Sequence, residues 1–210
     1  MKNLRSEVIK YAKMLNSKKL SALRSGNISA RYKDGFLITP SGAKYSSLKN
    51  KDIVFVSLDG EFNQKKGTPS SEWRFHQDIY KNKTEAKAIV HAHSNYATAI
   101  STHGKGIPAF HYMVALAGGN DIKCAKYATY GTRELSKNIL KVLKQRNACL
   151  IGNHGQIAFS ENLSKAFELA EEVENLSNQY IKALKISKPK ILSLKEMNKV
   201  LVKAKNYKRG

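Results

Sequence analysis

The chain has 210 residues, of which 41% are hydrophobic and 25% charged, with 37 Lys and Arg against 16 Asp and Glu. This length and makeup suit one domain with its own core and exclude a disordered or collagen-like chain. The formal net charge of +21 favours anionic partners, but the lysines are spread along the chain without long basic blocks. We therefore expect solvated basic faces, and neither nucleic-acid nor membrane binding.

The cysteines and the N-terminal sequence predict a cytoplasmic protein. Cys124 and Cys149 are too few for a disulfide scaffold. The first residues lack the pattern of a secretory signal, and no apolar run approaches the roughly 18 residues of a membrane span.

Hydrophobic periodicity, with turn and capping residues between the periodic segments, divides the chain into helices and strands. In chain order we expect a helix at 4–17, strands at 27–32, 36–39 and 53–58, a helix starting at 69–72, a strand at 88–93, a helix at 132–145, strands at 148–152 and 156–159, and helices at 162–184 and 194–205. The pair Asp34-Gly35 is typical of a tight hairpin turn. Antiparallel strands with helices grouped around them predict an α+β or layered α/β/α domain.

Three histidines have positions that suit a shared metal ion. His91 and His93 are two residues apart on a predicted strand, so both side chains leave the same face. His154 lies in the turn Gly152-Asn153-His154-Gly155, where glycines let the backbone approach closely. Three such imidazoles can form a facial metal site, and the alternative is a set of partly buried structural histidines. The remaining histidines have no comparable arrangement: His76, His103 and His111.

Glu72 is a candidate partner of these histidines. It is expected in the first turn of a helix, with Ser70 or Ser71 as the N-cap. A carboxylate is favoured there by the helix dipole, so the alternative is a simple capping acid.

Three segments offer hydroxyls and free backbone N–H groups of the kind that bind phosphate. They are Ser25-Gly26-Asn27, Thr39-Pro40-Ser41-Gly42 and Ser70-Ser71. Each alone is an ordinary turn or cap, but the three together indicate a phosphorylated ligand.

Several of these motifs resemble, in order and spacing, those of the class II aldolase and adducin family. The segments that carry the resemblance are Ser25-Gly26-Asn27-Ile28-Ser29, Ile38-Thr39-Pro40-Ser41-Gly42, Pro69-Ser70-Ser71-Glu72-Trp73-Arg74-Phe75-His76, Val90-His91-Ala92-His93 and Asn153-His154-Gly155. Two further stretches, 107–120 and 127–136, are similar to the bacterial sugar-phosphate aldolases of that family.

The resemblance implies a single three-layer α/β/α domain over residues 1–210, with a central, mainly antiparallel sheet and a mobile C-terminal tail at about 200–210. It implies a Zn²⁺-dependent lyase, with one zinc ion per subunit, that cleaves L-fuculose 1-phosphate or a related 5-deoxyketose 1-phosphate. The products would be dihydroxyacetone phosphate and an aldehyde such as L-lactaldehyde. A cytoplasmic homotetramer with active sites at the subunit interfaces is also implied.

The resemblance further implies roles for single residues. His91, His93 and His154 would be zinc ligands, and Glu72 a fourth ligand when substrate is absent. Glu72 and Tyr112, the latter from the neighbouring subunit, would be catalytic. The positions that match phosphate-binding residues are Gly26, Asn27, Ser41, Gly42, Ser70 and Ser71, and those that match the aldehyde pocket are Tyr130 and Tyr207.

One departure from the family pattern lies in the first phosphate loop, which reads Leu23-Arg24-Ser25-Gly26. Arg24 either contacts the phosphate or faces solvent. Two alternatives use the same metal site, a methylthioribulose-1-phosphate dehydratase and a ribulose-5-phosphate 4-epimerase. A non-enzymatic alternative is an adducin-like interaction module, which would be expected to lack the metal histidines.

Overall fold

A seven-stranded sheet forms the centre of the molecule, and helices cover both of its faces. The computed structural model describes the backbone of residues 4–207 and the side chains of residues 4–204. The strands are β1 (Asn27–Tyr32), β2 (Gly35–Ile38), β3 (Val54–Ser57), β4 (Ala88–Ala92), β5 (Cys124–Ala125), β6 (Ala148–Ile151) and β7 (Gly155–Ser160). The α-helices are α1 (Leu4–Ser17), α2 (Trp73–Asn82), α3 (Asn95–Ser101), α4 (Arg133–Leu143), α5 (Leu163–Ile186) and α6 (Leu194–Tyr207).

The strands lie in the order β3-β2-β1-β4-β7-β6-β5. All neighbouring pairs are antiparallel except β5 and β6, which are parallel. The predicted three-layer α/β/α arrangement with a mainly antiparallel sheet is therefore confirmed.

Alternation along β4 separates the two faces of the sheet. Ala88 and Val90 join a core that also contains buried residues of α1, α3 and α5. Ile89 joins a second core, formed with α2 and α4. His91 follows two residues later on that second face, so the metal histidines lie on the side that α2 covers.

Local capping explains why some helices were predictable and one was not. The side chains of Thr132 and Asn162 cap α4 and α5 by accepting from backbone N–H groups three residues later, at 3.2 and 2.9 Å. The N–H groups that begin α3 instead donate to the carboxylate of Glu174 on α5. No local pattern predicts α3, because its capping acid lies far away in the sequence.

The C-terminal segment packs as a helix over much of its length. Met197 of α6 is buried in the core, α6 packs against the 3-10 helix Tyr112–Ala117, and the backbone N–H of Leu192 donates to the carbonyl of Ala109 at 2.8 Å. Of the predicted tail at 200–210, residues 200–207 continue α6, and residues 208–210 lie outside the described residues. Across the described chain, none of the helices combines the length and the hydropathy that crossing a membrane requires.

Candidate active site

Strand pairing brings His93 and His154 together. β4 and β7 are antiparallel, with Ala92 opposite Gln156, so the residue that follows β4 lies beside the start of β7. His154 occupies the tight turn between β6 and β7. A Cβ at Gly155 would lie only 2.4 Å from the carbonyl oxygen of Ala92, which explains why glycine is needed there.

Glu72 joins the three histidines at this end of the central strands β4 and β7. One ligand atom from each of the four residues can be chosen so that all lie within 4.8 Å of one another. The Nε2 atoms of His91 and His93 are 2.9 Å apart. The two carboxylate oxygens of Glu72 lie 3.1 Å from Nε2 of His91 and 3.1 Å from Nε2 of His154.

The donor set fits a metal ion. Nδ1 of His91 is 2.8 Å from the carbonyl oxygen of Gln156, which can only accept, so Nδ1 carries the proton and Nε2 offers its lone pair to the centre of the cluster. Oε1 of Glu72 is buried without a hydrogen bond, although Nε2 of His154 is near it. Neutral imidazoles together with a carboxylate are the ligands that Zn²⁺ takes, with bonds of about 2.0–2.2 Å.

Burial and neighbouring charges set the protonation of the cluster. Burial raises the pKa of Glu72, but the attraction of His91 and His154 outweighs it and holds the pKa well below the usual range. Burial, with the repulsion of the other two histidines, lowers the pKa of His93 to about 3. An ionised carboxylate and a neutral imidazole are the forms that bind a metal.

Glu72 does not act as a helix cap. It is the residue before α2, and its side chain accepts no hydrogen bond from the N–H groups of the helix. The predicted serine N-cap of α2 is also wrong: Ser70 lies in the preceding turn, and its Oγ accepts from the backbone N–H of Glu72 at 3.3 Å. Of the two interpretations of Glu72, the structure favours the partner of the histidines.

The predicted phosphate segments meet beside the cluster. The Ser70 N–H donates to the carbonyl of Thr39 at 3.0 Å, and the Ser41 N–H donates to the carbonyl of Thr68 at 3.0 Å. The segment Ser25-Gly26-Asn27 lies beside them, because the Thr39 N–H donates to the carbonyl of Ile28, the residue after this segment, at 3.1 Å. The three segments and the metal cluster border one cavity of about 360 Å³, lined by Arg24, Ser25, Gly26, Asn27, Pro40, Ser41, Gly42, Ser70, Ser71, Glu72, His93, Tyr127, Tyr130, Asn153 and His154.

Several hydrogen-bond donors around this cavity are free. Within the described part of the chain, the N–H groups of Gly42 and Ser71 and the hydroxyls of Ser41 and Ser71 make no hydrogen bond. Arg24 donates from Nη1 to the carbonyl of Gly42 at 3.0 Å, which holds its guanidinium at the edge of the cavity. Free N–H and O–H groups beside a cation suit an anionic group such as a phosphate.

The first loop approaches the metal strand closely at Gly26. Its φ is +79°, and a Cβ there would lie 2.7 Å from the carbonyl oxygen of His91. Glycine is therefore required for both the conformation and the space. The side-chain amide of Asn27 is engaged within the chain, by Glu72 and His76.

The tyrosines are placed differently from one another. Tyr130 lines the cavity, and so does Tyr127, which the sequence-based prediction did not include; only its place in a stretch that resembles the aldolases points to it. Tyr112 begins a 3-10 helix, stacks on His111 and is not among the residues that line the cavity. The side chain of Tyr207 lies outside the described residues.

Comparisons with known proteins agree with this geometry. The model of the family described as "Class II Aldolase and Adducin N-terminal domain" matches residues 6–181. A 5-methylthioribulose-1-phosphate/5-deoxyribulose-1-phosphate aldolase of Rhodospirillum rubrum is 46% identical, over 97% of this chain and 92% of its own. An L-fuculose phosphate aldolase of Escherichia coli is 49% identical, over 87% of this chain and 85% of its own.

A solved structure of an L-fuculose 1-phosphate aldolase superposes with a TM-score of 0.93 at 38% identity, covering 98% of this chain and 97% of that one. The chain therefore belongs to the class II aldolase and adducin family. The relatives named above are aldolases, and we class this protein as an enzyme, a metal-dependent aldehyde-lyase.

Proposed function

We propose that the protein is a Zn²⁺-dependent aldolase that cleaves L-fuculose 1-phosphate, or a related 5-deoxyketose 1-phosphate, into dihydroxyacetone phosphate and an aldehyde such as L-lactaldehyde. The observation that carries this proposal is that one cavity joins a set of three histidines and a glutamate to a row of free phosphate donors. A ketose 1-phosphate has the two groups that such a cavity would hold, a phosphate and a nearby carbonyl.

In this reaction the bond between C3 and C4 of the substrate breaks. Ser41, Gly42 and Ser71 bind the phosphate through their free donors and so fix the position of the carbonyl. Tyr112 of a neighbouring subunit takes the proton of the C4 hydroxyl as the bond breaks, C4 becomes the aldehyde carbon, and the electron pair of the bond stays with C3. Glu72 then delivers a proton to C3, which completes dihydroxyacetone phosphate. When bound, zinc supplies a Lewis acid for the negative charge that develops on the dihydroxyacetone phosphate fragment.

The lining of the cavity also supports a metal-dependent reaction over one that uses a lysine Schiff base. Among the described residues that line it, Arg24 is the one Lys or Arg, and no lysine is present. A Schiff base requires a lysine amine beside the substrate carbonyl. The many lysines of the chain are therefore no argument for the covalent mechanism.

The proposal includes a cytoplasmic homotetramer with one zinc ion per subunit and active sites at the subunit interfaces. Tyr112 supports shared sites, because its side chain is 54% exposed and lies apart from the cavity residues of its own chain. The metal cluster and the phosphate donors, in contrast, are complete within one chain.

A second candidate substrate is 5-methylthioribulose 1-phosphate or 5-deoxyribulose 1-phosphate. The relative with that name matches 97% of this chain, whereas the L-fuculose phosphate aldolase matches 87%. The two substrates share the phosphate and carbonyl end and differ in the aldehyde that leaves. The same metal set is therefore used for both, and the difference is expected at the open end of the cavity.

The test is the release of dihydroxyacetone phosphate from fuculose, rhamnulose, ribulose, 5-deoxyribulose and methylthioribulose 1-phosphates, with zinc-loaded and chelated enzyme side by side. Zinc-dependent release from one of these supports the aldolase, and the best substrate identifies the aldehyde. If zinc binds and nothing is released, the site serves dehydration or epimerisation and the proposal is wrong. A zinc-free, inactive protein would instead favour the adducin-like interaction module.

A further inference from the structure

His76 is a buried histidine outside the metal cluster, and both of its ring nitrogens are hydrogen-bonded. It lies on α2 with no exposed surface. Its Nε2 is 2.5 Å from Oδ1 of Asn27, and its Nδ1 is 2.7 Å from Oγ of Ser29. The same Ser29 Oγ is 2.8 Å from the hydroxyl of Tyr80, and Nδ2 of Asn27 is 2.9 Å from Oε2 of Glu72.

These contacts form one chain of hydrogen bonds that ends on Glu72. An ionised carboxylate can only accept, so the amide of Asn27 donates to Glu72 and presents its carbonyl oxygen to His76. Nε2 of His76 must then carry a proton. Burial lowers the pKa of His76 to about 3, so the ring is neutral and its Nδ1 accepts from Ser29.

The donor and acceptor roles at the Tyr80 end of this series of hydrogen bonds follow from the same rule. The Ser29 hydroxyl uses its single proton toward His76 and therefore accepts from Tyr80. All donors thus point in one direction, from Tyr80 toward Glu72. Apart from Glu72, the members of this series are at most 2% exposed, so bulk water does not offer them alternative partners; they are Tyr80, Ser29, His76 and Asn27.

We propose that His76 is a positioning residue, which locks the Asn27 amide with its N–H toward Oε2 of Glu72. This rests on the proposed role of Glu72 as metal ligand and proton carrier. Without the ring N–H, the amide of Asn27 can turn over and place its oxygen against the carboxylate. Glu72 would then lose its only neutral donor among the described residues and shift from its place between His91 and His154.

The variant that tests this is His76→Phe, which keeps an aromatic ring between Phe36 and Phe75 but removes both hydrogen bonds. Loss of a residue that orients a metal ligand typically costs about 10–100-fold in metal affinity or activity. We expect kcat to fall in that range with KM nearly unchanged, and the Zn²⁺ dissociation constant, measured by competition with a chelator, to rise by at least a few fold.

The conservative variant His76→Gln should recover most of both losses, because its amide can donate to Asn27 and accept from Ser29. Ser29→Ala should lower kcat and zinc affinity, but by less than His76→Phe does. Its matched control is Ser177→Ala, which removes a buried hydroxyl that donates within α5 at 2.6 Å, and which should leave kcat and zinc affinity unchanged.

Two outcomes would overturn the proposal. One is folded His76→Phe protein with wild-type kcat and zinc affinity, and the other is a His76→Gln variant as impaired as His76→Phe. If His76→Phe does not fold, kcat and zinc affinity of Ser29→Ala are compared with those of the control Ser177→Ala. Equal values for the two variants would then overturn the proposal. If the wild type cleaves none of the ketose 1-phosphates, the proposed function fails, but zinc affinity and the absorption spectrum of the Co²⁺-substituted protein still test the positioning of Glu72.

Discussion

The metal end of the cavity and its open end are built in opposite ways. At the metal end, His91 is fully buried and Glu72 is 7% exposed, and the chain supplies the partners that fix them. At the open end, Tyr130 is 64% exposed and Tyr112 does not reach the cavity of its own chain. One chain therefore supplies all the residues that we propose for phosphate and metal, but not all of those that we propose for the aldehyde. Changes at the metal end should affect every substrate alike, and changes at the open end should depend on assembly.

The largest effect is expected for Glu72→Gln at the metal end. General acid–base catalysis contributes about 10²–10⁴-fold, and we expect kcat to fall by that factor for every cleavable substrate. The three histidines remain, so zinc content should stay close to one per subunit, measured by metal analysis. Glu168→Gln on α5 is the matched control and should behave as wild type. Normal turnover in Glu72→Gln would remove this residue from the mechanism.

Tyr112→Phe tests whether the open end is completed by a second subunit. Loss of the phenol should lower kcat by about 10²-fold, the low end of the acid–base range, without changing zinc content. Mixing Tyr112→Phe subunits with Glu72→Gln subunits should restore part of the activity, because some interfaces then pair an intact Tyr112 with an intact Glu72. The rates are compared before and after subunit exchange. Absence of any rescue in mixed oligomers would argue against shared sites.

Ser71→Ala tests the phosphate donors. Its hydroxyl makes no hydrogen bond within the described chain, so it is free for a ligand. A hydrogen bond to a charged group contributes about 1.5–3 kcal/mol, so kcat/KM should fall about 10–100-fold, mainly through KM. The unphosphorylated ketose serves as the control substrate and should show no further loss. An equal loss for both substrates would place Ser71 outside the phosphate site.

The smallest effect is expected for Arg24→Gln, at the solvent-exposed edge of the phosphate site. An exposed ion pair is worth about 0.2–1 kcal/mol, so KM should rise by a factor between about 1.4 and about 5 at low ionic strength and approach the wild-type value in high salt. Arg24→Lys retains the charge and is the control. A KM that does not change at low salt would show that Arg24 faces solvent.

The sequence predicted best those contacts that strand geometry fixes locally. His91 and His93 lie close together because His93 directly follows β4 and is two residues from His91, and His154 joins them because a glycine turn places it beside the end of that strand. No local pattern singles out His76, because its partners Asn27 and Ser29 lie nearly fifty residues away in the sequence. The same reason applies to the helix capped by Glu174.

The serine cap expected for α2 failed for a different reason. The sequence showed hydroxyls before an amphipathic helix, which is typical of a cap, but Ser70 is drawn into pairing with the loop of Thr39. Tertiary contacts thus displaced the helix start to Trp73 and left the carboxylate of Glu72 free to face the histidines. The local preference for a serine N-cap is therefore outweighed by tertiary contacts at the candidate site.

The close approach at Gly26 has a consequence for regiochemistry. A Cβ at Gly26 would lie 2.7 Å from the carbonyl oxygen of His91, and the next residue, Asn27, is paired with His91 across the sheet, so this loop is held close beside the metal strand. In the proposed reaction this loop borders the phosphate site, and the metal strand carries ligands of the ion that would face the substrate carbonyl. The distance between the phosphate site and the metal cluster then selects the position of the phosphate ester. We expect a ketose with its phosphate on carbon 1 to reach both sites, and an isomer with the phosphate at the other end of the sugar not to reach both.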